Sequence, residues 1–167
     1  GDKVPDEENA VVDCNHQNIG DIPIMMVLAW RKKRLGDLKF FVKDIVKYIP
    51  GPGWGMLFID CIFVKRNWLS DKDHINKTFQ KFTSNKIPIW IVSFLEGTRI
   101  TPSKLARSQS FAKKRKLPHM EHVMAPRTKG FISSVQSLRS QLDAVYNLAI
   151  YYPDGIPSLW QLFRGDC

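Results

Sequence analysis

The stretch Ile87-Pro88-Ile89-Trp90-Ile91-Val92-Ser93-Phe94-Leu95, followed at once by Glu96-Gly97-Thr98-Arg99, decides the fold. Its first nine residues are almost entirely apolar and rich in β-branched and aromatic side chains, which is typical of a strand buried on both faces. Such strands belong to parallel sheets that helices cover on both sides. The polar turn ends the strand, and ligands of α/β proteins bind at that carboxyl edge of the sheet.

Strand signals alternate with helix signals along the rest of the chain. Ser70, with Asp73 three residues later, approximates a capping box, and Ile75, Phe79 and Phe82 then follow at the spacing of one buried helix face. Proline and glycine predict a loop at 49–53. The predicted strands are 10–13, 38–42, 56–64, 87–95, 122–125 and 143–152, and the other predicted helices are 21–34, 105–116 and 134–142. This order predicts an α/β fold, with helices packed on a mostly parallel central sheet.

The composition is that of an ordinary globular protein. Of the 167 residues, 44% are hydrophobic and 25% are charged, so collagen, coiled coils and disulfide-stapled miniproteins are excluded. The length predicts a single domain over residues 1–167, which buries roughly 70% of the surface of the unfolded chain. The longest nearly continuous apolar run, 22–30, has nine residues. Because a spanning helix needs about 20, none is expected within these residues.

The charge is unevenly distributed. The chain has 25 Lys and Arg against 16 Asp and Glu, a net charge of +9, but residues 1–14 have five acidic residues and one lysine. This acidic start does not resemble a signal peptide, so we expect a segment of a longer protein. Basic clusters lie at 31–34 and 113–116. They fit nucleic acid, an anionic membrane surface or a phosphorylated substrate, as well as ordinary solvated faces.

The cysteine and histidine residues do not suggest a metal site. Cys14, Cys61 and Cys167 lie far apart, no CxxC pair occurs, and the four histidines are scattered. We therefore expect reduced thiols, no bound metal and no cofactor.

The segment Asn15-His16-Gln17-Asn18-Ile19-Gly20-Asp21 combines a histidine at a predicted strand end with an aspartate five residues later. A tight turn through Gly20 would bring the carboxylate back to the imidazole and leave the other ring nitrogen free to take a proton. A general base without a protein nucleophile suits a reaction in which a substrate hydroxyl attacks. On spacing alone, the signal is weak, and a loop histidine with a helix-capping aspartate is the favoured alternative.

The turn Glu96-Gly97-Thr98-Arg99 is the second candidate site. Gly97 permits a close backbone approach, Thr98 offers a hydroxyl group, and Arg99 can bind a phosphate with two parallel hydrogen bonds. Glu96 is expected to hold Arg99 or to bind a substrate hydroxyl. A strand-end turn with a solvent-exposed arginine is the alternative.

Taken in order, four motifs resemble those of the glycerolipid acyltransferases, the family of the 1-acylglycerol-3-phosphate acyltransferases. They are the His-x4-Asp (HX4D) segment at 15–21, Phe63-Val64-Lys65-Arg66, Glu96-Gly97-Thr98-Arg99 and Val123-Met124-Ala125-Pro126. The resemblance covers 11–130, and 131–167 is expected to begin the family's C-terminal region. Four further segments most resemble the eukaryotic branch that includes lysocardiolipin and lysophosphatidylinositol acyltransferases. They are residues 50–54, 66–68, 142–146 and 152–153.

The resemblance implies roles for two residues in catalysis. His16 matches the general base that takes a proton from a lysophospholipid hydroxyl as this hydroxyl attacks the thioester of acyl-CoA. Asp21 matches the residue that orients that histidine. Acyl-CoA is then a co-substrate, not a cofactor.

The resemblance also implies a substrate-binding set. Glu96, Gly97, Thr98 and Arg99 match the motif that holds the glycerol phosphate of the acceptor. The second motif supplies Lys65 and Arg66, of which Arg66 is the better match for a phosphate contact, and Pro126 falls in the motif linked to the acyl donor. Two positions depart from the family pattern, which usually has Pro at the position of Leu95 and often has Ser at the position of Asn18.

These observations predict an acyl-CoA-dependent lysophospholipid acyltransferase domain from a protein of the endoplasmic reticulum membrane. The expected partners are a lysophospholipid acceptor, the acyl-CoA donor and an anionic membrane surface, and the oligomeric state is open. The expected acceptor is lysophosphatidic acid, and the alternative interpretation is lysophosphatidylinositol or lysocardiolipin. A basic nucleic-acid-binding module and a catalytically silent lipid-binding domain are the alternatives from other classes; the first lacks a recognisable nucleic-acid-binding motif.

Overall fold

The computed structural model of the chain describes residues 4–153 and 155–165, in which five strands form one sheet with helices on both sides. The strands are β1 Ala10–Cys14, β2 Leu38–Lys43, β3 Ile62–Val64, β4 Trp90–Phe94 and β5 Ala144–Leu148. The helices are α1 Asp21–Arg31, α2 Pro52–Phe58, α3 Trp68–Ser84, α4 Pro102–Lys114, α5 Thr128–Leu138 and α6 Leu159–Arg164, with short 3-10 helices at Leu35–Asp37 and Asp44–Tyr48.

The strand order is β3-β2-β4-β1-β5, and every neighbouring pair is parallel. β1 lies between β4 and β5, with Val12 opposite Val92 on one side and Tyr146 on the other. The predicted α/β fold with a mostly parallel sheet is therefore confirmed.

Two hydrophobic clusters lie on opposite faces of the sheet, because side chains alternate along each strand. One face packs against Met25 and Ala29 of α1 and Met56 of α2. The other face packs against Phe79 of α3 and Leu138 of α5. The first two crossovers, through α1 and α2, thus cover one face, and the later ones cover the other.

This arrangement creates a switch point between β1 and β4. The chain leaves β1 for the α1 face, whereas it reaches β4 from α3 on the opposite face and goes on to α5 there. Ligands of open α/β sheets bind in the crevice at the carboxyl ends of such strands. The loops that follow β1 and β4 contain His16 and Glu96 respectively.

The segment predicted as one long strand, 56–64, is a correction. Residues up to Phe58 belong to α2, and only Ile62–Val64 form β3. Pro52 occupies the first position of α2, inside the segment predicted as a loop, where its fixed φ favours helix formation. An apolar run has no periodicity that would separate a buried helix from a buried strand.

The segment predicted as a strand at 122–125 is a second correction, because no strand forms there. It instead docks on α4 through side chains: Ala125 N donates to Ser108 Oγ at 2.8 Å, and Gln109 Nε2 donates to Met120 O at 3.0 Å.

Several helix starts also differ from prediction. Asn67, not Ser70, caps α3 by accepting a hydrogen bond from Leu69 N at 3.2 Å. α5 begins at Thr128, six residues before the predicted start.

None of the helices in the described parts of the chain is long and apolar enough to cross a membrane.

Candidate active site

The loop after β1 brings His16 and Asp21 into contact. Asp21 is the first residue of α1, and its side chain turns back across the loop. The Nδ1–H of His16 donates to Asp21 Oδ2 at 2.8 Å. The contact that the spacing predicted is therefore present.

Asp21 is fully buried and accepts three further hydrogen bonds. The backbone amides of Gln17 and Asn18 donate to Oδ2 at 2.7 and 2.9 Å, and the hydroxyl of Tyr152 donates to Oδ1 at 2.6 Å. Burial raises the pKa of the Asp21 carboxyl, but the hydrogen bonds from His16, Tyr152 and the two amides outweigh it and lower the pKa below its ordinary value. Asp21 is consequently a carboxylate at neutral pH.

The imidazole of His16 is held in place from a second side. Its ring stacks on Phe94, the last residue of β4, with 4.1 Å between centroids and 19° between planes. The backbone carbonyl of His16 accepts a hydrogen bond from Ile100 N at 2.9 Å, which ties the two loops together. With Nδ1 directed at Asp21, Nε2 is the nitrogen that remains to accept a proton.

Glu96 lies in the same crevice but in the opposite electrostatic state. Its side chain is buried, and Oε2 has no hydrogen-bond partner among the residues described. Burial, with a smaller contribution from the charge of Asp21, raises the pKa of Glu96 to about 7, against the lowering effect of the backbone N–H groups of Met124 and His16. A large fraction of Glu96 is therefore protonated at neutral pH.

Gly97 forms a turn that only glycine fits. Its φ is +69°, and an added Cβ would lie 2.9 Å from Cδ of Arg127. Arg127 N donates to Leu95 O at 2.7 Å. This bond places Pro126 and Arg127 directly beside the turn.

A second arginine approaches the same turn from the β3–α3 loop. The buried Asp71 shapes this loop by accepting hydrogen bonds from Lys65 N at 2.9 Å and Asn67 N at 3.0 Å. Arg66 lies between them with φ +66°. Partial burial and then the charge of Arg127 lower the pKa of Arg66, so the two arginines lie within electrostatic reach of each other.

Lys104 of α4 adds a third cation. Its Nζ donates to Thr98 Oγ1 at 2.8 Å and to the backbone carbonyl of Arg99 at 3.0 Å. Among the described residues, no carboxylate forms an ion pair with Arg66, Arg99, Lys104 or Arg127. Cationic side chains that lie close together and have no carboxylate partner are suited to bind an anion.

The structure thus connects most of the predicted site residues, but not all. One group in the crevice consists of His16, Asp21 and Glu96. The second group is the Gly97 turn, in or beside which lie Gly97, Thr98, Arg66 and Pro126. The side chains of Lys65 and Arg99, like those of Arg66 and Arg127, are exposed and take part in none of the hydrogen bonds or ion pairs of the described residues. Those residues also contain no group of three His, Cys, Asp or Glu side chains that could hold a metal ion.

Sequence reasoning missed Tyr152, Arg127 and Lys104 as site residues. Tyr152 is 131 residues from Asp21, and Arg127 and Lys104 follow the third motif by 28 and five residues respectively. Tyr152-Pro153 belongs only to the weaker part of the resemblance, and Arg127 directly follows Pro126. Nothing in their spacing predicts which other loop they contact.

The sequence profile of the acyltransferase family matches residues 1–152 of the chain. The chain is 35% identical to 1-acyl-sn-glycerol-3-phosphate acyltransferase 2 of Arabidopsis thaliana over 162 residues, which are 96% of this chain and 42% of that protein. It is 35% identical to lysocardiolipin acyltransferase 1 of Mus musculus over 169 residues, 99% of this chain and 45% of that protein. No solved structure is significantly similar to it.

The chain spans less than half the length of these relatives, whereas the family profile covers nearly all of the chain. The family predicted from the four motifs is therefore confirmed, and the chain belongs to the acyltransferase family.

Proposed function

We propose that this domain transfers a fatty acyl group from acyl-CoA to a free hydroxyl of a lysophospholipid, at the sn-2 position of glycerol. The observation that carries the proposal is the His16–Asp21 contact, in which a buried carboxylate with four donors holds one imidazole nitrogen and leaves Nε2 available. A lysophospholipid acceptor is also supported by the acceptors for which the relatives are named.

In the proposed reaction, Nε2 of His16 takes the proton from the acceptor hydroxyl as its oxygen attacks the thioester carbonyl. The new C–O bond forms, the C–S bond breaks, and the thiolate of CoA leaves with the proton that His16 carried. Asp21 stabilises the imidazolium during this step. A positioned base of this kind contributes roughly 10²–10⁴ in rate, and fixed orientation of the two substrates contributes more.

Arg66 and Arg127 are proposed to bind the phosphate group of the acceptor above the Gly97 turn, with Arg99, Lys65 and Lys104 at its border. The two neighbouring guanidinium groups have no carboxylate partner within the described chain, so a phosphate would relieve their repulsion. Glu96, whose pKa of about 7 leaves a large fraction of it protonated, would repel that phosphate less than an ordinary glutamate does. Pro126 remains a proposed contact of the acyl donor.

The acceptor is proposed to be lysophosphatidic acid, and lysophosphatidylinositol or lysocardiolipin is the second candidate. The relatives include enzymes named for 1-acyl-sn-glycerol 3-phosphate and for lysocardiolipin. We also propose that the whole protein acts at the endoplasmic reticulum membrane, on an anionic surface.

The test is the release of CoA thiol by purified protein supplied with long-chain acyl-CoA and a panel of lysophospholipids. His16→Ala is expected to abolish acyl transfer while the circular dichroism spectrum stays unchanged. His122→Ala is the matched control, since the His122 side chain is 93% exposed and lies outside the site. That variant is expected to keep full activity.

Undiminished turnover by folded His16→Ala would disprove the assigned base. A wild-type protein that releases no CoA with any acceptor, but still binds lysophospholipid, would be a silent lipid-binding domain. Salt-dependent binding of nucleic acid without CoA release would favour the nucleic-acid-binding module instead.

A further inference from the structure

Two uncharged stretches of the chain lie in the same helical layer. Residues 22–30, which make up most of α1, and residues 48–59, which include α2, contain no Asp, Glu, Lys or Arg. Both pack on the same face of the sheet. We call α1 together with residues 44–59 the apolar layer.

The outer side of the apolar layer is covered by large apolar side chains. Phe58 is 88% exposed, and the other prominent exposed side chains are Trp30, Ile45, Tyr48, Trp54 and Leu57. On the opposite face of the sheet, the longer helices α3 and α5 expose only Leu69 and Ile132 among their large apolar residues. Exposed apolar side chains are thus more numerous on the apolar layer than on α3 and α5, and such patches mark interaction sites.

The local packing explains why these side chains point outward. Gly53 is the one buried residue of α2, and a Cβ added there would lie 2.1 Å from the backbone carbonyl oxygen of Val46. The helix therefore meets the 3-10 helix Asp44–Tyr48 backbone to backbone on its glycine side. Phe58 is then left almost fully exposed, and Trp54 and Leu57 are only about half covered by protein.

Positive charge surrounds the apolar layer. Residues 31–34, Arg-Lys-Lys-Arg, directly follow the first uncharged stretch, and Lys43 and Lys47 precede the second. Residues 22–59 contain seven Lys and Arg against two Asp, but Lys39 is buried. Four of the others form ion pairs, namely Lys32–Asp6, Lys33–Glu7, Arg34–Asp37 and Lys47–Asp44. Among the described residues, Arg31 and Lys43 are therefore the cations of this region without a carboxylate partner. Apolar helices with tryptophan and tyrosine, bordered by lysine and arginine, are typical of segments that lie in the interface of an anionic bilayer.

The apolar layer also begins beside the candidate active site. Asp44–Tyr48 follows the carboxyl end of β2, and the loops with His16, Glu96 and Arg66 follow the carboxyl ends of β1, β4 and β3. Because all these strands are parallel, their carboxyl ends share one edge of the sheet. A surface at that edge is near the place where a lipid acceptor would enter.

We propose that the apolar layer inserts into the headgroup region of an anionic phospholipid bilayer and holds the crevice of His16 and Glu96 against the lipid surface. The inference rests on the proposed function only for the identity of the molecule that enters the crevice. A second copy of the chain is a poorer occupant, because a two-fold contact would bring together two surfaces that each carry the unpaired cations Arg31 and Lys43.

The experiment is co-sedimentation of the 167-residue chain with vesicles of phosphatidylcholine, with and without phosphatidylserine. The wild type is expected to bind the vesicles that contain phosphatidylserine, and to bind them more weakly at high salt. Phe58→Ser is expected to weaken partitioning about tenfold or more, since a large apolar side chain leaves the interface.

Leu57→Ser and Ile132→Ser form a matched pair, because the two side chains are 46% and 47% exposed and lie on opposite faces of the sheet. Leu57→Ser is expected to lose vesicle binding, and Ile132→Ser is expected to keep it. Equal losses in the two variants, or no vesicle binding by the wild type, would overturn the proposal. A stable wild-type dimer that Phe58→Ser converts to monomers would overturn it as well.

Activity with a short-chain lysophospholipid below its critical micelle concentration separates this proposal from the proposed function. Phe58→Ser is expected to turn over that soluble acceptor at the wild-type rate but to lose activity on acceptor embedded in vesicles. Vesicle binding without turnover of any lysophospholipid would disprove the proposed function and leave the membrane contact established. Equal activity of Phe58→Ser and wild type on embedded acceptor would contradict the membrane contact alone.

Discussion

The loop after β1 and the loop after β4 place two buried carboxyl groups in one crevice, and these groups are in opposite electrostatic states. Burial raises the pKa of both. At Asp21 four hydrogen-bond donors reverse that effect, whereas Glu96 has an oxygen without a partner in the described chain and a pKa of about 7. The number of donors, not the degree of burial, therefore decides which group is ionised.

This difference separates two tasks. The ionised Asp21 faces His16, where the proposed reaction forms a transient imidazolium. The protonated Glu96 lies in the loop whose turn meets Arg127 and, through it, Arg66, where an anion is proposed to bind. Carboxyl groups whose environments drive their pKa values apart commonly mark an acid–base site. Changes near Asp21 should therefore affect the chemical step, and changes near the Gly97 turn should affect acceptor binding.

Asp21→Asn is expected to have the largest effect, a loss of on the order of 10³–10⁴ in kcat. The amide cannot stabilise the imidazolium, and its NH₂ group would face the backbone N–H groups of Gln17 and Asn18. Single-turnover CoA release measures the chemical step directly. Asp37→Asn, which removes only a pair with Arg34 at 2.8 Å, is the control and should keep the wild-type rate. A loss in Asp21→Asn that appears only in the KM of the acceptor would contradict the assigned role.

Tyr152→Phe is expected to lower kcat about 10- to 100-fold, with little change in KM. The variant removes the donor of the 2.6 Å bond to Asp21 Oδ1 and leaves that oxygen buried with one donor fewer. Tyr151→Phe is the control, because the neighbouring side chain is 77% exposed. If both variants had the same small effect on single-turnover rates, the donor count around Asp21 would not matter for catalysis.

The sequence predicts the contacts of Asp21 better than it predicts those of the loop that contains Glu96 and Gly97. His16 and Asp21 meet across a five-residue turn, so local spacing is enough to predict their contact. The partners of the Gly97 turn come from α4, from the segment before α5 and from the loop after β3. Arg127 reaches the turn through the segment 122–125, for which the sequence predicts a strand, and no periodicity shows where such a segment docks.

The fold could be predicted to a similar degree. β4 and β1 are short, apolar and bounded by polar turns, and both are found close to their predicted positions. The start of α2 could not be predicted, since Pro52 and Gly53 resemble loop residues. They are tolerated there because proline suits the first turn of a helix and the glycine lets α2 touch Val46.

Arg127→Gln tests the anion-binding side and is expected to raise the KM of the acceptor about tenfold, with kcat nearly unchanged. The variant keeps polar atoms beside Gly97 but removes the charge next to Arg66. Arg139→Gln, at the other end of α5, is the matched control and should leave both constants unchanged. A fall in kcat at constant KM would assign Arg127 to the chemical step instead.

Glu96→Gln is expected to change stability more than activity, and its effect depends on pH. The folded protein holds the Glu96 proton up to about pH 7, whereas the unfolded chain releases it near pH 4.5. Stability due to this group therefore falls as the pH rises from 4.5 to 7. Relative to Glu96→Gln, the wild type should lose about 2 kcal/mol in the free energy of unfolding between about pH 5 and pH 8, measured with urea. Glu121→Gln, an exposed control, should show no such difference.

The same titration in an Asp21→Asn background tests whether the two carboxyl groups influence each other. The charge of Asp21 raises the pKa of Glu96, although less than burial does. Removing that charge should therefore shrink the pH-dependent difference between Asp21→Asn and the double variant Asp21→Asn/Glu96→Gln without abolishing it. If the difference stayed as large as in the wild-type background, burial alone would keep Glu96 protonated, and the two loops would be electrostatically independent. If it vanished, Asp21 would be the main cause, and ionisation of one carboxyl would control the other.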